Sequence, residues 1–149
     1  MIRAGVLIFL LAAAGCSANQ TEDDVVRNDS AMAQHGSGGL ASSVEVEVRG
    51  NTVRLVLHVS NSTDRPVTLE FSSGQRYDFA IRTAEGADVW RWSADKSFMQ
   101  ALESQTLAPG ATLQFAESWT GAGKGRYVAV AELTALNHRI QESAQFEIR

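Results

Sequence analysis

Val44-Glu45-Val46-Glu47-Val48-Arg49-Gly50-Asn51-Thr52-Val53-Arg54-Leu55-Val56-Leu57-His58-Val59 decides the fold class of this chain. Val44, Val46 and Val48 alternate with Glu45, Glu47 and Arg49, and beyond Gly50-Asn51 the residues Val53, Leu55, Leu57 and Val59 alternate with Arg54, Val56 and His58. Alternation of period two puts one apolar row on one face of an extended strand, and Gly-Asn is turn chemistry, so the stretch predicts an antiparallel hairpin with one buried face.

The pattern continues toward the C-terminus. After the loop Asn61-Ser62-Thr63-Asp64-Arg65-Pro66, strands are expected around Val67, Leu69 and Phe71, then around Tyr77, Phe79 and Ile81, with Asp78 accepting backbone N–H bonds in a turn. A short strand at 89–93 carries Trp90 and Trp92 on one face. Residues 93–107 break the alternation, and Phe98, Met99 and Leu102 at helical spacings suggest a turn of helix or an irregular loop crossing the sandwich. Further strands follow at Leu113, Phe115 and Trp119, at Tyr127, Ala129, Ala131 and Leu133, and at Phe146 and Ile148; the glycine-rich 121–125 segment is expected to be a hairpin turn. About eight short strands without a strong amphipathic helix predict an all-β, immunoglobulin-like antiparallel β-sandwich over 43–149.

The N-terminus has a different character. Arg3 precedes an uncharged apolar run of 11 residues, Ala4 to Ala14, which is signal-peptide length and well short of the roughly 20 residues that span a bilayer. Ala13-Ala14-Gly15-Cys16 resembles a bacterial lipobox, with alanine where leucine is commoner, and Cys16 is the only cysteine among 149 residues. Residues 1–15 are therefore expected to be a lipoprotein signal peptide and Cys16 the acylated residue, anchored by two or three acyl chains. Ser17 at the next position points to the outer membrane in a Gram-negative host, with the domain on the periplasmic side. Residues 16–42, rich in Asn, Asp, Ser and Gly, read as a flexible acidic linker holding the domain roughly 25–30 Å from the lipid.

Composition narrows the function. Hydrophobic residues make up 44% and charged residues 20%, which suits one folded domain. Without Arg3 there are 12 basic against 17 acidic residues, a balance that repels nucleic acid. The histidines, His35, His58 and His138, lie too far apart for a metal centre, a lone cysteine builds no thiolate cluster, and no cofactor is expected. No G-x-S-x-G elbow occurs, and Gly121-Ala122-Gly123-Lys124-Gly125 lacks phosphate-loop spacing, so an enzyme is not expected.

Two aromatic clusters stand out. Ser73-Gly74-Gln75-Arg76-Tyr77-Asp78-Phe79, then Trp90-Arg91-Trp92-Ser93 running to Phe98, then Leu107-Ala108-Pro109-Gly110, Trp119 and Gly125-Arg126-Tyr127 together resemble the intracellular proteinase inhibitor (BsuPI) domain over about residues 43–134. The resemblance implies an immunoglobulin-like sandwich and inhibition of a serine protease. The export leader departs from the cytoplasmic setting of that family, and no inhibitory residues are carried over. The leader and composition point to a lipid-anchored, non-enzymatic protein-binding module of the cell envelope, and the resemblance implies its sharpest form, a proteinase inhibitor. The rival is a structural or assembly lipoprotein of the envelope without inhibitory activity. Candidate partner-binding residues are Ser73, Gln75 and Arg76 in the first loop and Trp90, Arg91, Trp92 and Phe98 in the second cluster. At period two, Tyr77, Phe79, Trp90 and Trp92 read first as core or sheet-face residues; an outward-facing Trp90 and Trp92 would instead form a platform with Arg91 at its rim.

Overall fold

A computed structural model describes residues 38–121 and 123–149. The leader, Cys16 and nearly all of the expected linker lie outside the described residues. Nine strands run in order: β1 (Leu40–Arg49), β2 (Thr52–Asn61), β3 (Val67–Phe71), β4 (Tyr77–Thr83), β5 (Asp88–Arg91), β6 (Glu103–Leu107), β7 (Thr112–Thr120), β8 (Gly125–Leu133) and β9 (Ile140–Ile148). A short 3-10 helix, Trp92–Asp95, follows β5.

The hairpin read from Val44 to Val59 is β1 and β2, in register from Leu40 opposite Asn61 to Arg49 opposite Thr52. With β7 they form one antiparallel sheet; β5, β4, β8 and β9 form a second, and β3 pairs with β6 at the side. The rows predicted to point inward do so: Val53, Leu55, Leu57 and Val59 of β2 and Phe79, Ile81, Ala129 and Ala131 of the second sheet are buried in one core. This is the immunoglobulin-like antiparallel sandwich. Burial of these side chains, at about 25 cal/mol per Å² of apolar area, replaces the disulfide that antibody domains use.

The structure corrects four details. Among the described residues the strands number nine, because Glu103-Ser104-Gln105-Thr106-Leu107 is a strand inside the stretch expected to be helix or irregular loop. It pairs only with β3 and buries only Leu107, so it carries no apolar alternation. Residues 121–125 are not a hairpin turn: β7 belongs to the first sheet and β8 to the second, so the glycine segment carries the chain across the sandwich. Asp78 lies inside β4 rather than in a turn. Finally, β1 begins at Leu40, within the segment read as linker, and Leu40 is fully buried. Gly39 has φ +85° and a Cβ there would collide with the Thr63 methyl, so this glycine is required by close packing.

Candidate functional site

Tyr77, Phe79 and Ile81 share the inward face of β4. Across the sheet Ile81 stands opposite Trp90, so Trp90 also points inward, and Trp92 continues that row from the 3-10 helix. The Trp92 ring stacks on Tyr77 at 4.4 Å, Tyr77 stacks on Phe115 of β7 at 4.6 Å, and Phe98 lies 5.6 Å from Trp92. These rings close the side of the sandwich between β4 and β7. Lys96 covers the open face of Trp92, 5.0 Å from its centroid. Trp90 and Trp92 are thus half-buried packing residues and form no exposed platform.

The Tyr77 hydroxyl donates to Glu117 Oε1 at 2.5 Å. Burial raises the Tyr77 pKa far above the ordinary phenol value, and the hydrogen bond to Glu117 and its negative charge push the same way. On the opposite face of β4, Asp78 is buried and accepts from the backbone N–H of Phe79 and Ser93, the Ser93 hydroxyl at 2.7 Å and Arg91 Nη1 at 2.9 Å. Arg91, expected at a platform rim, is instead tied down by Asp78 and by Asp88, and the hydrogen bond it donates to Asp78 chiefly raises its pKa. Arg82 in turn holds the Asp88 carboxyl below its ordinary range. Asp78 therefore fastens the corner at residues 91–93 to β4.

That corner leads into residues 96–102, which adopt neither helix nor strand. Met99 is 79% exposed and Leu102 84%, the two most exposed large apolar side chains among the described residues. The backbone beneath them is anchored: Met99 O accepts from Gly74 N at 2.9 Å, which joins the 72–76 and 96–102 segments. Arg76 spans the same junction, pairing with Glu103 while its guanidinium lies 4.4 Å from the Phe71 ring centroid. Ser73 Oγ accepts from Gln75 N, and the Gln75 and Arg76 carbonyls accept from Thr134 Oγ1 and N. Of the sequence-chosen residues, Ser73, Gln75, Arg76, Trp92 and Phe98 pack or bond beside this junction, while Trp90 packs on the core and Arg91 is held by Asp78 and Asp88. The side chains that reach solvent, Met99 and Leu102, are missed by the sequence pattern because their helical spacing suggests that they pack inward.

Among the described residues no three His, Cys, Asp or Glu side chains converge as metal ligands. A cleft of about 630 Å³ lies at the other end of the sandwich, beside Val48, Arg126, Tyr127, Phe146 and Arg149, away from every one of these residues.

An immunoglobulin-like sandwich carrying an exposed apolar loop on an aromatic buttress is the class that fold and site define. The chain belongs to the intracellular proteinase inhibitor (BsuPI) family, which matches residues 40–138. The match takes in both aromatic clusters and the 96–102 loop that follows them. No curated protein matches the chain. Similar solved structures include a penta-haem cytochrome c552 from Thermochromatium tepidum, 7% identical with a TM-score of 0.49 over 73% of this chain and 40% of that one. A CARDB domain from Pyrococcus furiosus is 13% identical with a TM-score of 0.43 over 74% of this chain and 87% of that one. A β-glucosidase from Kluyveromyces marxianus is 10% identical, with a TM-score of 0.43 over 74% of this chain but 14% of its own length.

Proposed function

We propose that the protein is a lipid-anchored, non-enzymatic inhibitor of a serine protease in the cell envelope, held by Cys16 on the periplasmic face of the outer membrane, and that residues 96–102 are the segment it presents. Family membership supports inhibition in general. The observation that carries the loop assignment is the exposure of Met99 and Leu102 on a backbone tied to Gly74. Proteases accept extended, non-helical segments, and an inhibitor gains affinity when that segment is already ordered before binding. An apolar side chain projecting from an ordered loop is the anchor such a complex needs; Trp92, Phe98 and the Arg76–Glu103 pair keep it from collapsing into the domain.

Titration of the full chain against a panel of envelope serine proteases tests the proposal. Met99→Asp and Leu102→Asp alter only exposed side chains, so the melting temperature is expected to stay unchanged. At least one of them is expected to weaken inhibition about a hundredfold or more. Undiminished cleavage across the panel by the unmutated protein removes the inhibitor assignment; equal inhibition by both variants removes the loop.

A further inference from the structure

β7 is the outer strand of the first sheet: β2 pairs with one side, over an unbroken register from Thr112 opposite Ser60 to Thr120 opposite Thr52. Among the described residues no strand pairs with the other side. Natural sheets guard such edges with charges, proline, bulges, short length or a covering segment. The other outer strands here are guarded. β1 carries Glu45, Glu47 and Arg49 and lies along β9, where Ser42 Oγ donates to Glu142. β5 has four residues, a register shift against β4, and Asp88 bonded to Arg82 and Arg91. The free side of β3 is covered, since Asn137 accepts from Glu70 N and donates to Thr68 O, and Leu136 N donates to Glu70 O. β6 is short and begins with Glu103. β7 has nine residues, no proline and no bulge, and its outward row, Thr112, Gln114, Ala116, Ser118 and Thr120, is exposed and uncharged.

The strand is also nearly symmetric in side-chain character about its centre. Antiparallel pairing with a second copy, centred on Ala116, sets Thr112 opposite a second Thr120, Gln114 opposite Ser118, and Ala116 opposite itself where the two side chains meet at the two-fold axis. On the inward row Leu113 meets Trp119 and Phe115 meets Glu117, so the one charge of the strand never faces its own copy. This centring uses all nine residues, and each pair recurs on both sides of the axis, as a two-fold interface requires. We infer that β7 is a homodimerisation edge, joining two copies into one continuous six-stranded sheet with the order β1-β2-β7-β7-β2-β1. The contact is smaller than the roughly 1,600 Å² of a standard stable interface, so association is weak in solution.

The full chain tests this without reference to any protease. With Ala116→Cys, two thiols meet at the axis within disulfide reach, and mild oxidation in cells is expected to give a disulfide-linked homodimer. The unmutated chain, whose only cysteine is Cys16, is run beside it as the control. Sedimentation of the unmutated protein is expected to show concentration-dependent dimers. Ala116→Lys, at an exposed position, is expected to raise the dissociation constant at least about tenfold through like charges at the axis, with an unchanged circular dichroism spectrum. Monomers at every concentration up to about 100 µM, or oxidation of the Ala116→Cys chain that yields adducts only with other proteins, overturn the inference.

Discussion

Asn61 shows how much of this fold turns on single polar groups. It is 1% exposed; its amide nitrogen donates to the carbonyls of Arg65 and Leu107, and its amide oxygen accepts from Thr63 N and Oγ1. Its backbone also exchanges bonds with Gly110 and Ala111, so one residue knots the 61–66 loop to the approach to β7. Asn61→Ala is expected to cost about 2–3 kcal/mol in urea unfolding, because the buried Leu107 carbonyl loses its amide donor and the Thr63 N–H loses its acceptor. The sequence marks Asn61 as turn chemistry; its burial depends on Leu107, 46 positions away, and no local pattern carries that. Tyr77 makes a second residue-scale prediction. Its folded pKa is raised, so the neutral phenol is stabilised by folding. That contribution is complete below the unfolded value near 10 and is lost as pH climbs from there toward the folded value. Stability measured above about pH 10 should therefore fall more steeply in the native protein than in Tyr77→Phe, which keeps the ring stack and removes the titration.

At the scale of elements, strands that set an apolar row against the core are legible in the sequence, and β6, which does not, is missed. β1, β2, β4 and β8 each set an apolar row against the core, and alternation finds them. β6 buries one residue of five and lies against β3 alone, so its residues look like loop. The Trp90 to Ser93 corner is visible as an aromatic cluster, but its orientation is set by Asp78, whose hydrogen bonds run to residues 13 and 15 positions away. Removing that carboxylate tests the corner as a unit. Asp78→Ala leaves Arg91 with Asp88 as its remaining partner and the Ser93 N–H and hydroxyl without their acceptor, and is expected to destabilise the domain by about 2–3 kcal/mol. Amide exchange should rise most at residues 91–95 and then along 96–102, while β1 and β2 stay protected. If the corner matters to binding through the loop it positions, inhibition falls with it, although Asp78 itself faces away from solvent.

For the whole molecule, the chain enters the domain at the end that also carries the candidate loop. Gly39 O accepts from Ser62 N, a Cβ on Gly38 would touch His138, and Thr134 at the start of that same loop holds Arg76 and Gln75. The turns at Gly50, Gly86 and Gly121 lie at the far end. A domain tethered through Cys16 would present residues 96–102 toward the side from which its tether arrives, so a protease needs clearance between the sandwich and the lipid. A flexible linker ending before β1 would give roughly 25 Å of reach. Address and binding are then separable in a defined order. Cys16→Ala is expected to move the protein out of the membrane fraction while leaving inhibition in solution unchanged, because no described contact of the loop involves the tether. Deleting residues 19–34 while keeping Cys16 is expected to do the reverse, preserving membrane fractionation and detergent-solubilised inhibition but weakening inhibition on intact vesicles. Equal inhibition on vesicles by the shortened and the native chain would mean that the loop does not face the anchor, and equal fractionation of Cys16→Ala with the native protein would mean that Cys16 is not what holds it there.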